Sequence, residues 1–135
     1  MTSLVRHVPV EFVAAVLPKA APFIELGLTH SDYNIEHAKV CLADGKWVLF
    51  VVTDEHEEVV GAYTVTFQNE PGERVAFIIS AAGNGLGQDL FPQLEHLFAQ
   101  MGVTKVKALA RESAARLYKR SGFVEKSVLL EKKYG

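Results

Sequence analysis

The stretch from Glu73 to Gln100 reads "ERVAFIISAAGNGLGQDLFPQLEHLFAQ". An apolar run of strand length meets a turn carrying three glycines. After the turn, Leu86, Leu90, Leu94, Leu97 and Phe98 recur at helical steps. A strand passing through a glycine turn into a helix commits the chain to an architecture that combines helices with a sheet. It also leaves main-chain N–H groups at the positive end of a helix dipole, which attracts anions. Gly83, Gly85 and Gly87 permit close backbone approach and positive φ, so a pyrophosphate fits there. Glycines also gather wherever a strand turns sharply into a helix, and the pattern alone leaves both readings open. No Gly-Lys-Ser/Thr follows, so this is not a Walker loop. Its strand follows a hairpin rather than opening a βαβ unit, which counts against a dinucleotide fingerprint.

The remaining elements follow from periodicity. Within Glu11 to Leu28, the apolar positions Phe12, Val13, Val16, Leu17, Ala20, Ala21, Ile24 and Leu28 fall on one side of a helix. Pro18 and Pro22 each remove a donor, predicting a short helix, a kink and a further turn. "THSDYNIEHAKVCLADGKW" predicts a second helix capped by Ser31 or Asp32, with Ile35, Ala38 and Leu42 inward and Gly45 as its stop. "KWVLFVVTDEHEEVVGAYTVTFQN" predicts an antiparallel hairpin around "DEHEE", with Gly61 at a bulge or at a close approach of another backbone. Beyond the glycine turn, the helix stops at Gly102 and carries Pro92 in its first turns. "VTKVKALA" alternates as a strand, "ESAARLYKRSG" is a helix stopped by Gly122, and "FVEKSVLLEKKY" is a closing strand. This order predicts an α/β or α+β mixed sheet in a single domain over residues 1–135.

Charge narrows the functional classes. Basic and acidic residues number 14 and 16 and are interspersed, giving a net charge of -2 and no broad attraction to nucleic acid or an anionic membrane. No window approaches the length of a membrane span, and "MTSLVRHVPVEF" lacks the apolar core of a signal peptide. A soluble, cytoplasmic protein is the expectation. Cys41 is the one cysteine and lies in apolar "AKVCLADG", which fits an inert core thiol and a reducing compartment. The five histidines lack metal-site spacing, so no metal is expected. His30 and His37, near Asp32 and Glu36, read as cap and solvent face.

Two stretches, "VAFIISAAGNGLGQDLFPQLEHLFAQMG" and "VTKVKALARESAARLYKRSGFVEKSVLLEKKY", resemble the GNAT superfamily of N-acetyltransferases. In that family the fourth strand ends at an R/Q-x-x-G-x-G/A loop, whose place is taken here by Ala82-Gly83-Asn84-Gly85-Leu86-Gly87. "AARLYKRSGF" matches the family's A-x-x-L-Y-x-x-x-G-F on the helix before the last strand. The chain departs from the family at Ala82, where an Arg or Gln would add a charge-assisted contact to phosphate, and at Arg111, where Asn is common.

The resemblance implies a mixed, mostly antiparallel central sheet flanked by helices, and an acetyl-CoA-dependent transfer to a small-molecule or peptide amine by direct attack. Gly83, Asn84, Gly85, Leu86 and Gly87 would hold coenzyme A, and the main-chain N–H of Ile79 or Ser80 would polarise the thioester carbonyl. Tyr118 would serve as general acid toward the thiolate; the plain alternative is an amphipathic core tyrosine. Glu73, Glu57 and Glu58 are the nearest candidate bases and read better as solvated acidic turns. Shortened sequences of this kind also resemble bacteriophage-encoded members, some associated with virion or head-assembly genes. That likeness implies the alternative of an inactive scaffold acting through protein association. "SVLLEKKY" as an exposed last strand would offer a homodimer edge.

Overall fold

The computed structural model describes residues 3–83, 90–110 and 112–134. In chain order it contains β1 (Leu4–Val8), a 3-10 turn (Val10–Phe12), α1 (Val13–Gly27), α2 (Ile35–Ala43), β2 (Val48–Thr53) and β3 (Val59–Glu70). Then follow β4 (Glu73–Gly83), α3 (Phe91–Gln100), β5 (Lys105–Ala108) and α4 (Glu112–Arg120). The strands lie side by side in the order β1-β2-β3-β4-β5. The first three pairings are antiparallel and β4 with β5 is parallel. This is the mixed, mostly antiparallel sheet flanked by helices that the sequence implied. No described helix is long and apolar enough to cross a membrane.

Alternation sorts the core into two layers. Leu49, Val51 and Ala62 face one side and pack with Val13, Ala20, Ile24 of α1 and Ala38, Cys41, Leu42 of α2. Phe50, Val52, Tyr63, Val65, Ala76 and Ile78 face the other, against Leu90, Phe91, Leu94 and Phe98. Each Val, Leu, Ile or Phe among them, taken fully out of water, contributes about 1.5–3 kcal/mol. Gly45, Gly102 and Gly122 follow their helices at positive φ, as the sequence predicted for helix stops.

Four local expectations are corrected. The chain enters the sheet on a strand, β1, and not on a helix. Its pattern is too short to read alone, and what makes it a strand is pairing from Leu4↔Thr53 to Val8↔Leu49. Gln93 of α3 reinforces it, because its Oε1 accepts from the Val5 N–H at 2.8 Å and its Nε2 donates to the Ser3 carbonyl at 2.9 Å. Secondly, α1 is one continuous helix containing both Pro18 and Pro22. Pro18 and Pro22 each lack the donor that would bond the carbonyl four residues earlier, so the carbonyls left without a partner are those of Ala14 and Pro18; all three residues lie on one exposed row, facing solvent rather than core.

Thirdly, α2 is capped by Asn34, whose Oδ1 accepts from the His37 N–H at 2.9 Å, and not by Ser31 or Asp32; Ser31 instead accepts from the Tyr33 N–H. Finally, "FVEKSVLLEKKY" forms no strand. Val128, Leu129 and Leu130 are consecutive, so neither side of an extended segment is purely apolar, and all three are more than 70% exposed, Leu130 reaching 86%. Without a ladder partner an alternating pattern remains coil.

Candidate active site

The strand β4 changes character along its length. From Glu70↔Glu73 to Val65↔Ile78 it keeps one register with β3; Thr64 then pairs with Ser80, leaving Ile79 as an extra residue. Such a bulge bends its strand and re-aims the groups at that point. On its other edge β4 meets β5 only from Val75↔Lys105 to Ile78↔Ala108. From Ile79 to Gly83, β4 therefore has no strand on its second edge among the described residues. A main-chain group there is open to a ligand instead of a ladder.

The bulge is enclosed from the α1 side. Thr64 is fully buried and Ser80 is 3% exposed, and their hydroxyl oxygens lie 2.5 Å apart. Gly27, at the end of α1, comes so close that a Cβ built on it would stand 3.0 Å from the Ser80 Cβ and 3.1 Å from the Ala81 nitrogen. Ser80 is thus a buried, paired residue whose hydroxyl is engaged with Thr64. Any role toward a ligand falls to its main chain.

Gly83 ends β4 opposite Gly61, at φ +139°. A Cβ here would stand 2.6 Å from the Gly61 Cα and 2.7 Å from the Val60 carbonyl oxygen. Two backbones in contact account for both glycines, and the adjacent shift in β2–β3 register accounts for the bulge expected near Gly61. Ala82 is a buried strand residue paired with Ala62. Asn84, Gly85, Leu86 and Gly87 lie outside the described residues.

Tyr118 stands on α4 and packs on the opposite sheet layer, its ring centroid 4.9 Å from Phe123 and 6.3 Å from Phe91. Tyr63, paired across the sheet with Ala81, belongs to the same cluster, as do Leu90 and Phe91 at the start of α3. The open half of β4, the N-terminal turn of α3 and the Tyr118 phenol are thereby gathered on one layer. Burial pushes the Tyr118 phenol up to about 12, so it is a neutral donor at physiological pH. Burial holds Tyr63 further above its ordinary range, and neighbouring Tyr118 adds to the effect.

The candidate bases are dispersed. Glu73 lies at the far end of β4, ion-paired to Lys105, and Glu57 sits exposed in the β2–β3 turn, 3.8 Å from Arg6. Sequence reasoning missed Thr64, Tyr63 and Gly27. Their one signal is a polar residue, Thr64, at an inward position of an apolar strand.

Residues 45–125 match the model of the acetyltransferase (GNAT) domain. Among solved structures, an aminoglycoside acetyltransferase from an uncultured soil metagenomic sample, in complex with sisomicin, superposes with a TM-score of 0.69 at 14% identity, covering 98% of this chain and 95% of that one. Glucosamine-6-phosphate N-acetyltransferase from Arabidopsis thaliana does so at 0.65 and 13% identity over 100% of both chains. A predicted acetyltransferase from Clostridium acetobutylicum, with acetyl-CoA, reaches 0.66 at 13% identity, covering 98% and 96%. No curated protein matches in sequence. The fold is that of a mixed α/β sheet with a bulged fourth strand, and the chain belongs to the GNAT acetyltransferase family.

Proposed function

We propose that the chain transfers the acetyl group of acetyl-CoA to the amine of a small molecule. The observation that carries this reading is the half of β4 from Ile79 to Gly83, bulged on one edge and, among the described residues, without a strand on the other. A thioester placed along that edge meets main-chain donors fixed in place before the reaction, which is the form of electrostatic stabilisation that costs no reorganisation. The residues fit the coenzyme in kind. Gly83 to Gly87 would face its pyrophosphate together with the start of α3, where Leu90 supplies no side-chain cap.

In the step itself the amine lone pair attacks the thioester carbonyl carbon and the carbon–sulfur bond breaks, the sulfur leaving with its electron pair. The nitrogen loses one proton and the sulfur gains one, giving an amide and a free thiol. The N–H of Ile79 or Ser80 donates to the carbonyl oxygen, and the Tyr118 hydroxyl donates to the departing sulfur. An ordinary thiol titrates near ~8.5. A phenol held near 12 therefore serves as a hydrogen-bond donor while charge builds on sulfur, and the proton released by the acceptor nitrogen closes the balance. The aminoglycoside and glucosamine-6-phosphate acetyltransferases among the structural neighbours support a small-molecule amine as acceptor.

Thermal unfolding with and without coenzyme A tests this reading. At a hundred times the dissociation constant the coenzyme stabilises by about 2.7 kcal/mol, a clear rise in Tm. An unchanged Tm in millimolar coenzyme A overturns the transferase reading in favour of a scaffold acting through protein association.

A further inference from the structure

The bulge in β4 is held by groups far apart in sequence. Thr64 opposes it from β3, and Gly27 presses on it from the end of α1. Between them Ser80 has its side chain fully committed: its hydroxyl lies 2.5 Å from that of Thr64, and its Cβ lies where any side chain on Gly27 would collide. Ile79, the residue pushed out of register, leans toward the same α1 layer, packing against the cluster that contains Ile24, Leu49 and Ala62. A bulge is a soft feature, since one residue has no ladder partner and its position is set by what surrounds it. Here the surroundings are specific. A buried hydroxyl pair fixes distance and direction together, because moving Ser80 would leave two polar groups without partners in a dry layer.

We infer that Thr64 is a positioning residue, whose hydrogen bond to Ser80 fixes the β4 bulge so that the Ile79 or Ser80 amide is aimed at the acetyl carbonyl. The inference rests on the transferase reading above. It adds a mechanical claim that the reading does not contain. Thr64 touches no substrate; its hydroxyl is on the α1 side of the sheet and acts through Ser80. Small errors of aim matter at such a donor, because a misplacement of about 1 Å can cost ~100-fold in rate. A side chain that only filled space would serve equally well as valine, which has the same shape and no hydroxyl.

The carbonyl stretch of acetyl-CoA labelled with 13C at the acetyl carbon, recorded by infrared difference spectroscopy on the full chain, reads the aim of the amide directly and needs no acceptor. In the wild-type protein the bound stretch is expected below its position in water. Thr64→Val is expected to return it toward the water position while coenzyme A, which lacks the thioester carbonyl, binds within about twofold of wild type, a margin smaller than one hydrogen bond. Thr64→Ser, which keeps the hydroxyl, is expected to retain the wild-type shift. Gly27→Ala disturbs the same bulge from the other side and is expected to move the stretch as well, which keeps the test open should Thr64→Val fail to fold. A wild-type protein that binds no coenzyme A overturns the transferase reading and this inference with it. Normal coenzyme binding with a wild-type carbonyl stretch that is unshifted, or that is indifferent to Thr64→Val (to Gly27→Ala, should Thr64→Val fail to fold), overturns the positioning role alone.

Discussion

The two halves of β4 are built by opposite rules. From Val75 to Ile78 the strand is flanked on both edges, by β3 and by β5. That end is also laced by ions. Lys107 reaches Glu70 at 2.5 Å, and Lys105 reaches Glu70 at 3.2 Å and also Glu73. These Lys contacts, that of Lys107 first, hold the Glu70 carboxyl below its usual range. From Ile79 to Gly83 one edge has no strand among the described residues, the other is bulged, and the contacts are hydroxyl to hydroxyl and backbone to backbone. A sheet that closes one half of a strand can leave the other half for a ligand without losing the fold, since β3 pairs with both halves on either side of the bulge. The difference teaches that stability and candidate chemistry are divided along one strand rather than between domains.

The largest test attacks the open half where it joins β3. Gly83→Val places a branched side chain at φ +139° and 2.6 Å from a neighbouring Cα. It should destabilise by more than about 3 kcal/mol by urea unfolding, or prevent folding, because strain and a backbone collision combine. A tolerated valine would show that the Gly61–Gly83 contact does not hold the open half in place.

A smaller effect belongs to the aromatic layer beneath that half. Tyr118 is held up to about 12, against the ~10 of a free phenol. Its folded pKa is raised, so the stability it contributes is complete below pH ~10 and is lost as pH rises toward 12, by about 2–3 kcal/mol at most. Melting across that range should steepen downward above pH 10, and Tyr118→Phe should flatten part of the fall. Identical curves for the two proteins would show that burial of Tyr118 is not what perturbs it.

The smallest effect is expected in the closed half. Glu70→Gln removes the centre of the ion cluster, but Lys105 and Lys107 are substantially exposed. Paired surface charges contribute little and are screened by salt. Whatever Glu70 contributes is present above the ordinary carboxylate pKa and is lost as pH falls through its lowered one. Tm at neutral pH and moderate salt should barely move. A large drop would make the ions, rather than the two flanking ladders, the support of that half.

Much of the molecule is legible in the sequence itself. Period-two and period-3.6 patterns placed the β2–β3 hairpin, β4, α3, β5 and α4 correctly, and glycines at Gly45, Gly102 and Gly122 marked where helices stop. These are local properties: a side chain's polarity records which side of an element meets water, and a positive φ must fall on a residue that tolerates it. The motif "AARLYKRSGF" pointed to the family for the same reason, being contiguous in the chain.

Other features were settled only by the tertiary structure. Five residues at Leu4–Val8 became a strand because β2 and Gln93 were there to bond them, while the longer pattern at Phe123–Tyr134 found no partner and stayed coil. Pro18 and Pro22 were tolerated because their row faces water. The bulge at Ile79, the hydroxyl pair of Thr64 and Ser80, and the bare approach of Gly27 depend on register and on distance between remote segments. A sequence states which side of each element is apolar, but a hydrogen-bonded ladder is a relation between two segments, and its register is written in neither one alone.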